Sequence, residues 1–290
     1  MLSPARLRLG CLRSCCLLLL LTPLGCHPPT PRPSPPACHL PPPSAQIEQT
    51  AQELHQVWDL PADPVYFAPV REPGPALRAY QQAVRARLAG GASPGGGTDP
   101  LALLRRQRAV FLAATTPGLR AEAAISGPII EGRVGQITPP SCLDALLVDF
   151  QASRHPMITQ PSELAAFILR RPAQGGEGER LRVYVSSLAR SGGRMNRALR
   201  ERVDADLRAG FVLAAHLHNH PFLFDRVIGD ASWTTAETQA DIAGAIAPSA
   251  SDVQYYGSLI EDAGLKTARV TNGFHTLTLR PDEIATLSPR

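Results

Sequence analysis

Lysine is almost missing from this sequence: Lys266 is the only one, and the formal net charge of +4 is carried by arginines scattered among acids. Without a block of like charge there is no electrostatic footprint for nucleic acid, which is not an expected partner. Long apolar runs are missing as well; Leu17 to Leu21 falls far short of the about 20 residues that a membrane-spanning helix needs. Cysteine is present at six positions, but none has the spacing of a zinc finger, which excludes a structural zinc module of that type. Four of the six, Cys11, Cys15, Cys16 and Cys26, crowd into the first residues of the chain.

Arg6, Arg8 and Arg13 precede the leucine run, and Leu24-Gly25-Cys26 ends it, the pattern of an export signal. Gly-Cys after leucines resembles the lipobox of bacterial lipoproteins, with Pro23 as a departure at the usual leucine position. The resemblance implies a signal peptide over 1–26, a lipid anchor to the membrane through Cys26, and an exported protein of the bacterial cell envelope, periplasmic or outer-membrane. A plain cleaved signal is the alternative. Residues 27–44 are proline-rich, cannot donate regular backbone hydrogen bonds, and read as an extended tether. An oxidising compartment would permit a Cys38–Cys142 disulfide, but a mobile tether gives no reason for proximity, so two independent thiols are expected.

Beyond the tether, apolar residues recur at helical spacing from Ala45 to Leu60, from Pro75 to Leu88 and from Leu101 to Ala114. The expectation is a helical N-terminal extension over 45–120, a spacer or packing appendage, since its only histidine is His55. From 121 to 290 the texture is that of one α/β domain. Ile125 to Ile137 is apolar and broken by glycines, which suits one or two strands. Ser141 is placed to cap a helix with Asp144 in its first turn. Strands are expected at 163–169, 181–188 and 211–215, with helices over about 195–207 and 252–263 and closing strands at 266–271 and 274–279. The order αββαβ, then αββ, predicts a mixed β-sheet flanked by helices.

The most informative stretch is His216-Leu217-His218-Asn219-His220-Pro221. Imidazole nitrogens are good ligands for zinc, and alternate residues of an extended chain point to one side. Further on, Ser249-Ala250-Ser251-Asp252 places a serine three residues before an aspartate at a helix start. Two histidines and one aspartate make three protein ligands, which leave a fourth zinc position for water, as catalytic sites do. Each element has an ordinary alternative, surface histidines in one case and helix caps in the other.

Together, His218-x-His220-Pro221 and Ser249-x-x-Asp252 resemble the JAMM motif of the JAB/MPN zinc metalloprotease family, and H-N-H-P is similar to its RadC-like branch. The helix from Leu143 to Ser153 followed by Glu163-Leu-Ala-Ala-Phe-Ile-Leu169 reproduces the family's order ahead of the histidines. Ala268 to Leu277 resembles its closing hairpin. The resemblance covers about half of the chain, Ile137 to Leu279, and implies a JAB/MPN-like (cytidine-deaminase-like) fold. It makes His218, His220 and Asp252 the Zn2+ ligands, Glu163 the base that takes a proton from the hydrolytic water, and Ser249 a donor to the oxyanion. The implied activity is hydrolysis of an amide bond in a peptide or protein substrate; an inactive JAB-like binding or scaffold lipoprotein is the alternative. Glu131, Glu177 and Glu179 also lie in the region upstream.

Two departures from the family pattern stand out. Twenty-eight residues, 221–248, separate His220 from Ser249, where the family has a short loop. This segment, with Trp233, Thr234, Thr235 and Asp241, reads as a lid or extra helix, or else as an insertion that displaces Asp252. His216 stands where relatives carry an aromatic residue, which opens a competing three-histidine ligand set. Nothing in the sequence indicates an oligomeric state.

Overall fold

Strands buried on both faces dominate the middle of the molecule. The computed structural model of the chain describes residues 38–50, 52–92, 97–113, 117–159, 162–176, 178–189, 197–222, 224 and 243–288. The expected export signal, Cys26 and the first part of the tether lie outside them, as does the part of the 221–248 segment that carries Trp233, Thr234, Thr235 and Asp241. No helix among the described residues is long and apolar enough to cross a membrane.

Eight strands form one mixed sheet: β1 (Ala45–Gln49), β2 (Glu53–Pro61), β3 (Gln136–Thr138), β4 (Leu164–Arg171), β5 (Arg180–Leu188), β6 (Val212–Asn219), β7 (Ala268–Thr271) and β8 (Thr276–Leu279). Their spatial order is β1-β2-β5-β4-β6-β7-β8-β3. Every neighbouring pair is antiparallel except β6 and β7. Seven α-helices are formed among the described residues: α1 (Pro75–Arg87), α2 (Pro100–Ala113), α3 (Pro117–Ile130), α4 (Cys142–Arg154), α5 (Arg197–Arg208), α6 (Ala250–Ala263) and α7 (Pro281–Leu287). The chain is thus mixed α/β.

Alternation along the strands sorts the core into two layers. On one face Ala165, Phe167, Tyr184, Val270 and Leu277 pack against α3, α5, α6 and α7, through Ile125, Val203, Tyr256 and Ile284 among others. On the other, Ala166, Ile168, Val183 and Leu217 meet α1 and α4, through Leu77, Val84, Leu143 and Leu147.

Four expectations need correcting. Ala45 to Leu60 is not helical: it forms β1 and β2, and β2 pairs with β5 along its whole length. The spacing of Leu54, Val57 and Leu60 mimics a helix because β2 is buried on both faces, with Val57 in one core and Trp58 and Leu60 in the other. Ile125 to Ile137 holds a single short edge strand, β3, since the helix α3 runs through Ile130 despite Pro128. The third concerns the tether, whose last residues are docked. Trp58 Nε1–H donates to Pro41 O at 3.0 Å, and the Tyr66 hydroxyl donates to His39 O at 3.3 Å.

That docking accounts for the fourth correction, the disulfide between Cys38 and Cys142. It joins the docked segment to the first residue of α4 across a sequence separation of 104 residues.

The elements that lead to the histidines follow the sequence closely. Ser141 and Asp144 form a reciprocal capping box at the start of α4. The order from there is α4-β4-β5-α5-β6, then α6-β7-β8, as the spacing of apolar segments predicts.

Candidate metal centre

β6 lies inside the sheet, antiparallel to β4 and parallel to β7, so its end is held from both sides. His216 and His218 project to the face covered by α6, while Asn219 points the other way. His220 follows the last strand residue and stays in line because its N–H donates to Thr271 O at 2.8 Å.

The Gly244 N–H donates to Pro221 O at 3.3 Å and Asn272 Nδ2 donates to Gly244 O at 2.7 Å. Gly244 has φ +71°, and a Cβ there would sit 2.3 Å from the Phe222 ring, so only glycine fits. Pro221 and Gly244 thus meet close after His220, and the 28 residues between His220 and Ser249 do not displace Asp252, which lies against both imidazoles.

α6 then begins at Ser249, its N-cap, with Asp252 completing a capping box. Oδ2 of Asp252 accepts from Ser249 N at 2.8 Å and from Ser249 Oγ at 2.7 Å. The same oxygen lies 3.5 Å from Nε2 of both His218 and His220, and those two nitrogens are 3.0 Å apart. His218, His220 and Asp252 are the group among the described residues whose ligand atoms converge closely enough to hold a metal ion. The His218 side chain is 7% exposed, whereas those of His220 and Asp252 are 21% and 26% exposed, so the group is only partly buried.

The outer ring nitrogens are occupied. Nδ1 of His220 lies 3.1 Å from Ala245 O, which can only accept, so Nδ1 carries the proton and Nε2 is left free to ligate. Nδ1 of His218 is 2.7 Å from the hydroxyl of fully buried Tyr256, one turn beyond Asp252 on α6. Burial alone would push the Asp252 carboxyl up, but the two imidazoles outweigh it and hold the group well below the usual carboxylate range. Burial opposes protonation of His220 too, yet the Asp252 carboxylate raises its pKa.

His216 does not join the group. It is buried in an aromatic box, with Phe167 edge-on at 4.6 Å, Tyr255 at 5.5 Å and Tyr256 at 5.6 Å between ring centres. Burial first, and His218 second, lower its pKa to about 3, so the ring is neutral. The three-histidine set is not what forms.

Glu163 immediately precedes β4. Ala165 pairs with His218, so continuing the antiparallel register sets Glu163 opposite His220, and its charge is felt at His220 and Tyr256. The hydroxyl of Ser249 is engaged with Asp252 and lies 2.8 Å from Ser251 Oγ.

Three residues beside the site are given no role by the sequence. Tyr256 stands four residues after Asp252, the spacing of one helical face, which is a usable signal. Asn219 sits inside the histidine motif. Glu122, on α3, accepts the Ala250 N–H at the start of α6; burial most of all, and the charge of Asp252, raise its carboxyl pKa. No sequence signal ties Glu122 to this site.

Comparison with family models, curated proteins and solved structures finds no match to this chain.

Proposed function

We propose that this chain is a zinc-dependent hydrolase of amide bonds, of metalloprotease or isopeptidase type, with a JAB/MPN-like fold and a peptide or protein substrate in the bacterial cell envelope. The observation that carries the proposal is the convergence of the His218, His220 and Asp252 ligand atoms on one partly open point. Zinc with N and O ligands at about 2.0–2.2 Å in a tetrahedron sets its ligands about 3.3–3.6 Å apart, and the separations here are 3.0, 3.5 and 3.5 Å.

Zinc held there supplies Lewis acidity and a water molecule of lowered pKa. The chain's own groups then have defined tasks. Glu163 accepts the proton of the attacking water and returns it to the leaving amine. Ser249 donates to the carbonyl oxygen as its charge develops, with its hydrogen turned away from Asp252. Ala245 O and the Tyr256 hydroxyl hold the two imidazoles in their ligating orientation.

One observation favours a second reading, a JAB-like metal-binding scaffold without turnover: the Ser249 hydroxyl is already spent on Asp252. Assay of the zinc-loaded full chain on peptide and isopeptide-linked libraries separates the two. The hydrolase reading expects cleavage that a chelator stops, and a Glu163→Gln variant that keeps its zinc but is slower by about a hundredfold or more. Cleavage that survives both treatments refutes the mechanism, and zinc binding without any cleavage favours the scaffold.

A further inference from the structure

Asn219 has no task in the mechanism above, although it stands between two of the ligands. Its side chain is buried on the face of the sheet away from the imidazoles, with the residue only 1% exposed. There it completes the β4–β6 ladder in place of the main chain. Leu164 N–H donates to Asn219 Oδ1 at 2.6 Å, and Asn219 Nδ2 donates to Ser162 O at 3.3 Å, also approaching Met157 Sδ at 3.6 Å. Only one orientation of the amide satisfies both partners, since an N–H needs the oxygen and a carbonyl needs the nitrogen.

The residue between those two contacts is Glu163. Its own carbonyl accepts from Leu188 N–H at 2.9 Å. Main-chain groups at 162, 163 and 164 are therefore all held, two of them by one side chain.

We infer that Asn219 is a positioning residue for Glu163: its amide clamps the backbone on both sides of Glu163 and so aims that carboxylate at the His218, His220 and Asp252 group. This rests on the hydrolase reading. Carboxyl, hydroxyl or aliphatic replacements cannot reproduce the clamp: aspartate lacks the donor, serine is too short to span both partners, and leucine has neither function. The motif thereby couples ligand and base, because the strand that presents the imidazoles also fixes the strand that presents Glu163.

The test uses the full chain loaded with cobalt(II), whose visible absorption is followed from acid to alkaline pH in the wild type, Asn219→Ala, Asn219→Ser, Glu163→Gln and the Asn219→Ser/Glu163→Gln double variant. The Asn219 variants are expected to hold cobalt within about threefold of the wild type, because no ligand or ligand-supporting group is removed. Their titration midpoint is expected to move by about half a unit or more in the same direction as that of Glu163→Gln. The double variant is expected to match Glu163→Gln alone, as residues acting through one another do.

A midpoint unchanged in Asn219→Ser, or shifts that simply add in the double variant, overturn the inference while leaving the metal site intact. A wild type that shows no cobalt spectrum overturns the metal reading instead, a different failure. Serine keeps a small polar group for cases where alanine unfolds the chain; if neither variant folds, Asn219 belongs to the fold and the inference is wrong.

Discussion

Glu122 accepts the backbone N–H of Ala250 through both carboxylate oxygens, at 3.1 and 3.0 Å, two residues before Asp252. The first N–H groups of a helix have no partner within it, and a carboxylate there is favoured by the helix dipole as well. The contact ties α3 to the helix that carries Asp252. Removing it in Glu122→Ala is expected to weaken metal binding about tenfold, the size of one charge-assisted hydrogen bond. Glu122→Gln, which keeps an acceptor, is expected to recover most of the loss. Competition against a chromogenic chelator measures both, and equal affinity in Glu122→Ala and wild type contradicts the role.

Tyr256 holds Nδ1 of His218 at 2.7 Å. Phenylalanine fills the same space without the hydroxyl, so Tyr256→Phe is expected to fold normally and lose about 10- to 100-fold in metal affinity. Unchanged affinity would mean that the hydroxyl does not orient the ligand.

The neutral His216 has a consequence for acid stability. Its pKa is about 3 in the folded chain against about 6.5 in an unfolded one, so the unfolded state takes up the proton first. Above about 6.5 the group leaves stability unaffected. As pH falls from there towards 3 the folded state loses about 1.4 kcal/mol per unit. His216→Phe, in a box already lined by Phe167, Tyr255 and Tyr256, is expected to flatten the fall of Tm between about pH 6.5 and 4. The measurement is Tm against pH for both metal-free proteins, and parallel curves would contradict it.

The Cys38–Cys142 bond closes a loop of 104 residues. On the chain-entropy account a loop of that size stabilises by up to about 4–5 kcal/mol, though native disulfides deliver about 2–5. Cys142→Ala is expected to lower unfolding stability by that order while leaving metal affinity unchanged, since Cys142 lies in the core layer on the opposite face from Tyr256. Denaturant unfolding reads the first part and chelator competition the second.

Much of the domain was legible because its signals are local. Ser141 with Asp144, and Ser249 with Asp252, are helix starts that a reader can find within four residues, and both form capping boxes. His218 and His220 sit on alternate residues, and Asp252 opens a helix, so the ligand types are visible in two short segments. β2 reads as a helix because a strand buried on both faces loses the period of two. α3 escapes the sequence because the glycines from Ile125 to Ile137 suggest strands and turns, yet Ile125 and Ile129 bury a helical face regardless. Glu122 and Ala250 are 128 residues apart in sequence, and nothing short of the fold brings them together.

Metal content decides the central claim most directly. The full chain, stripped and then equilibrated with zinc, is expected to hold one zinc per chain, to lose it in His218→Ala and in Asp252→Ala, and to keep it in His216→Ala. A wild type without zinc, or an Asp252→Ala variant that binds it as tightly as the wild type, would contradict the account.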